Sequence, residues 1–69
     1  MTLIYTYKNG DMIFYERMEV GAGGFAHITN DNYDVIVSEQ FGHTRSVAIE
    51  RARGEYKRLK QLFNKLTKN

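Results

Sequence analysis

Leu3-Ile4-Tyr5-Thr6-Tyr7-Lys8-Asn9-Gly10-Asp11-Met12-Ile13-Phe14-Tyr15 is the stretch whose reading decides the fold. Asn9-Gly10 lies between two apolar-rich runs. Both residues accept the positive φ angles of a type I′ turn, whose twist matches that of flanking strands. As a two-residue loop, the turn pairs Lys8 with Asp11, Tyr7 with Met12, Tyr5 with Phe14 and Leu3 with Glu16. Side chains alternate between faces along a strand. Leu3, Tyr5, Tyr7, Met12 and Phe14 then form one face and a core wall. Ile4, Thr6, Lys8, Asp11, Ile13 and Tyr15 form the other, with Lys8 opposite Asp11 as a favourable cross-strand pair.

Downstream, Gly21-Ala22-Gly23-Gly24 ends the second strand and reads as a flexible linker. It has no following Gly-Lys-Ser/Thr and opens no helix, so it is not a phosphate loop. Phe25-Ala26-His27-Ile28 is a short candidate strand. Thr29-Asn30-Asp31-Asn32 reads as a turn, and Tyr33 to Ser38 alternates as a further strand. Thr44 is placed to cap a helix. Ala48, Ala52, Tyr56, Leu59, Phe63 and Leu66 then recur at spacings of 4, 4, 3, 4 and 3. That is one helical face, widened by Ile49 and Leu62. A helix of about 23 residues is about 35 Å long, so it overhangs strands that span ~20 Å. The expected fold is α+β: a three- or four-stranded antiparallel sheet with an N-terminal hairpin, packed by one long C-terminal helix. Residues 1–69 form a single domain, with the sheet in 1–42 and the basic helix in 43–69.

The 69 residues carry no cysteine and 42% hydrophobic residues. This composition suits one folded domain without disulfides or thiolate metal sites. No basic segment followed by an apolar run opens the chain, and no stretch approaches the ~20 apolar residues of a membrane span. The expected compartment is therefore cytoplasmic. His27 and His43 have no partner at metal-ligand spacing, and no Ser or Thr sits in a nucleophile arrangement. The reading is a protein without cofactor, metal or small-molecule substrate, and not an enzyme.

Charge is segregated. Residues 1–42 hold two basic and six acidic residues, a net of −4, whereas 43–69 hold eight basic and two acidic, a net of +6. Gly42-His43-Thr44 followed by Ala48 and Ala52 resembles the strand-to-helix junction of integrase arm-type DNA-binding domains. That resemblance implies a sheet before an Ala-rich helix opened by Thr. Those domains read DNA with a basic sheet, and here Glu16, Glu19 and Asp34 make the sheet acidic, so no functional residue carries over. The chain also resembles small accessory proteins of phages and mobile elements.

Two functions fit. In the first, the chain is a non-catalytic binding or regulatory accessory protein acting through protein–protein contacts, with a protein partner, itself, or both. Its interface is then the second sheet face, Ile4, Ile13 and Tyr15, with the overhanging helix end at Leu62, Phe63 and Leu66. Charged substitutions at Ile13 or Tyr15 are expected to abolish association while leaving the fold intact. In the alternative, the chain is a nucleic-acid-binding regulator whose helix contacts phosphates through Arg51, Arg53, Lys57, Arg58, Lys60 and Lys65. On a helical wheel these cations spread over the whole polar arc, as on a solvated face.

Overall fold

A computed structural model describes residues 1–67; Lys68 and Asn69, the end of the expected helix, lie outside the described residues. The chain forms β1 (Thr2–Thr6), β2 (Met12–Arg17), β3 (Gly24–Thr29), β4 (Val35–Gly42) and α1 (Arg45–Thr67). The strands make one antiparallel sheet in the order β1-β2-β3-β4. This is the α+β fold read from the sequence, with four strands. The helix lies across β2, β3 and β4. None of its described segments is long and apolar enough to cross a membrane.

The first hairpin differs from its expected register in a way that reverses the sheet. Thr6 pairs with Met12, Tyr5 with Ile13 and Leu3 with Phe14. Tyr7 N–H donates to the Asp11 carbonyl (2.8 Å) and Gly10 N–H to the Tyr7 carbonyl (3.0 Å). The loop is therefore three residues, Lys8-Asn9-Gly10. Asn9 has no positive φ, whereas Gly10 sits at φ 96°. That pattern belongs to a type I turn followed by a left-handed residue, the second commonest hairpin loop. One extra loop residue shifts the partner strand by one position, which exchanges its faces. Ile4 then bulges, so that Ile4 and Tyr5 together face Ile13.

Ile4, Ile13 and Tyr15 are consequently core residues and not an open interface. Ile13 is fully buried, and Ile4 and Tyr15 pack half-buried against the core. The buried set is Ile13, Ala26, Ile28, Val37, Ala48, Ala52 and Tyr56. Alanines at 48 and 52 let the helix approach closely, and the aliphatic side chains beneath them fill the gap. Leu3 and Tyr5, expected in the core wall, are half exposed.

The glycine run is likewise more than a linker. Gly24 is buried as the first residue of β3, and Met18 N–H donates to the Gly23 carbonyl (3.1 Å) to close the β2–β3 connection. At the other end of β4, Gly42 meets the start of the helix. A Cβ there would lie 2.2 Å from the Ala48 nitrogen, so only glycine admits this junction. Thr44 caps α1 as read, its hydroxyl accepting from Val47 N–H at 3.2 Å.

Candidate functional site

Three surfaces stand out once the core is assigned. The first is the sheet face away from the helix. Cross-strand register sets Leu3, Phe14 and His27 in one row, and Glu16, Phe25 and Phe41 in the next. Phe14 stacks on His27 (5.4 Å between ring centroids, 21°), Phe25 tilts against Phe41 (5.5 Å), and His43 meets Phe41 edge-on (5.2 Å). Leu3 and Val35 on this face are 50% and 64% exposed. Neither lysine nor arginine occurs in these rows. A four-stranded face of this size measures ~20 by ~20 Å. A patch of about 400 Å² lies within the range of the largest patch on a typical monomer, which often serves a function.

Tyr33 overhangs the same face, its ring 6.4 Å from Phe14. It is 70% exposed and adopts φ 65°, the one non-glycine residue with positive φ among the described residues. The Asn30–Asp34 loop repeats the hydrogen bonds of the first hairpin: Asn30 N–H to the Asp34 carbonyl (2.9 Å) and Tyr33 N–H to the Asn30 carbonyl (3.0 Å). Tyr33 thus occupies the position that Gly10 holds in the other loop. A bulky side chain in that conformation is strained, and such strain concentrates at functional positions.

The second surface is the end of the helix. Leu62, Phe63 and Leu66 are 48%, 62% and 71% exposed, as expected of an overhang. With Ile36 and Leu59 they line a shallow depression of about 430 Å³.

The third surface is the outward side of α1. All six basic candidates are exposed, and they sort into two stripes. Arg53, Lys57 and Lys60 line a groove of about 790 Å³ beside Tyr7. Arg51, Arg58 and Lys65, spaced by sevens, run along the other flank, where Arg51 donates to the Phe41 carbonyl at 2.8 Å. Arg58 pairs with Glu55 at 2.8 Å.

A polar cluster ties the first loop to the helix beside that groove. Asp11, expected at the surface opposite Lys8, is buried instead. Tyr56 O–H donates to Asp11 Oδ2 at 2.6 Å, and Asn9 Nδ2 donates to both Asp11 Oδ2 and Tyr56 Oη at 3.0 Å. Lys60 Nζ stands 3.5 Å from Asp11 Oδ2 and 5.3 Å from the Tyr56 ring centre. Burial, and then the bond to Asp11, push the Tyr56 phenol up to about 12. Tyr7 stacks on Tyr56 at 4.4 Å, and burial raises its phenol as well, partly offset by the nearby Arg53.

The chain matches no family, curated protein or solved structure. Among the described residues no three His, Cys, Asp or Glu side chains gather where they could hold a metal ion. The polar cluster is closed on itself, since every buried side-chain nitrogen and oxygen of the described residues has a partner. It fixes structure. The sequence reading missed Phe14, Phe25, His27, Tyr33 and Phe41 as a surface. The signal for them lay in the turn, because Lys8-Asn9-Gly10 suits a three-residue loop as well as Asn9-Gly10 suits a shorter one.

Proposed function

We propose that the protein is a non-catalytic binding module that works through protein–protein contacts, and that its first partner is a second copy of itself. The observation that carries this reading is the sheet face away from the helix, where Phe14, Phe25 and Phe41 are half-buried among their neighbours and Leu3, Val35 and the strained Tyr33 are exposed. The core on the helix side is small, and three of its seven buried residues are alanine. Stacking two open faces about 10 Å apart would give each copy a second apolar layer. Association along strand edges is disfavoured, because β1 and β4 both carry irregularities and Arg51 covers the Phe41 carbonyl of β4. Leu62, Phe63 and Leu66 add an apolar margin for a further protein partner.

The test is mass by light scattering across a concentration series at low and high salt. The expected species is twice the 8.1 kDa chain mass, only weakly sensitive to salt because the face is mostly aromatic and aliphatic with Glu16 as the one charge in its two aromatic rows. Phe14→Glu is expected to yield a folded monomer. A wild-type protein that stays monomeric at high concentration would overturn self-association.

A second reading, nucleic-acid binding through the basic helix, is supported by the two cation stripes on α1. It calls for an affinity that falls steeply with added salt.

A further inference from the structure

Gly54 lies in the middle of a 23-residue helix, where glycine is disfavoured relative to alanine. Nothing among the described residues requires it. Its φ is not positive, and a Cβ at this position would meet no atom within 4 Å. Position 54 points away from the sheet, so a side chain there would enter open space.

The neighbours of Gly54 supply a reason from outside the chain. On a helix surface a residue adjoins those at i±3 and i±4. For Gly54 these are Glu50, Arg51, Lys57 and Arg58, three cations and one carboxylate. Arg53 and Lys57 continue into the groove beside Tyr7, of which Gly54 is itself a lining residue. The bare backbone at 54 is thus the floor of a saddle between the two basic stripes. Glu50, one turn earlier, repels an anion and confines the approach to the C-terminal side. The Arg58–Glu55 pair is exposed and rearranges at little cost.

We infer that a phosphodiester backbone of duplex nucleic acid crosses α1 at Gly54, with its phosphates on Arg53, Lys57 and Arg58. This rests on the nucleic-acid reading of the helix and adds a site to it. Duplex is favoured over single strand by the aromatic groups nearby. Single-strand binders offer open rings for bases to stack on. Here the two rings that line the groove, Tyr7 and Tyr56, are stacked on each other. Contact is then with the backbone alone and independent of sequence.

The experiment measures binding of the full chain to a mixed-sequence DNA duplex by fluorescence anisotropy over a range of salt. Three neutralised phosphates give a slope of log K against log salt of about −3. Gly54→Leu removes a helix-weakening glycine and keeps the charge. It is expected to raise the melting midpoint yet weaken duplex binding tenfold or more. Loss of binding from a more stable fold is an outcome that a purely structural glycine does not produce. If the leucine variant binds as the wild type does, the site at Gly54 is overturned and the basic helix survives as a binding surface. If the wild type ignores duplex at low salt, both fall. Tighter binding to the matching single strand would overturn the duplex assignment.

Discussion

Asp11 and Tyr56 show how much of this small fold depends on one buried polar contact. A carboxylate withdrawn from water is tolerated only when its lone pairs are occupied. Asp11 has Tyr56, Asn9 and Lys60 around it. Tyr56→Phe is expected to cost roughly 2 kcal/mol, the usual loss for a hydrogen bond to a charged group. Chemical denaturation of the two proteins measures it. Burial of the Tyr56 ring, with the bond to Asp11, also sets an alkaline limit. Below the ordinary tyrosine value near 10, Tyr56 is protonated in both folded and unfolded chains. Between there and about 12, the unfolded chain loses the proton while the folded one keeps it, so stability falls as pH rises through that window. Tyr56→Phe flattens this part of the pH profile if the assignment is right, and an unchanged profile would refute it. Ile13 marks the opposite kind of residue. Because it is fully buried under the helix, Ile13→Glu is expected to unfold the protein, whereas Phe14→Glu beside it leaves the fold standing. Circular dichroism separates the two outcomes.

Among the elements, the helix was the most legible in the sequence. Its periodicity located the buried face at Ala48, Ala52 and Tyr56, and Thr44 announced its start. The hairpin was legible as a hairpin but not in register. Asn9-Gly10 permits two loop lengths, and the choice depends on a contact no local pattern contains: the Asn9 side chain is committed to Asp11 and Tyr56. The fourth strand was legible only in part. It carries irregularities where Ile36 and Val37 both face Ile28, so alternation fails there. The aromatic sheet face followed from register and was lost with it. The β3–β4 loop allows a test. Asn tolerates the left-handed conformation that strains tyrosine, so Tyr33→Asn is expected to hold or raise the thermal midpoint while weakening self-association. Association unchanged from wild type would remove Tyr33 from the interface.

The whole molecule is a short sheet with a long rod laid over it, 48 × 20 × 16 Å in extent. Its radius of gyration is 12.8 Å, against about 11 Å for a compact chain of this length. The difference comes from the helix end beyond the sheet. Surface character follows the layers: aromatic on the open sheet face, basic on the outer helix and apolar at the overhang. The sequence disclosed the last two directly, since charge and helical spacing are local properties. Each strand pairs with the one before it, so the sheet is built from short loop closures. The Tyr56–Asp11 contact spans 45 positions, so it is expected to form after the local strand pairings. Such late contacts act on the rate of unfolding rather than of folding. On that expectation the first hairpin loop carries a latch, and Tyr56→Phe should speed unfolding in stopped-flow measurements while leaving the folding rate unchanged.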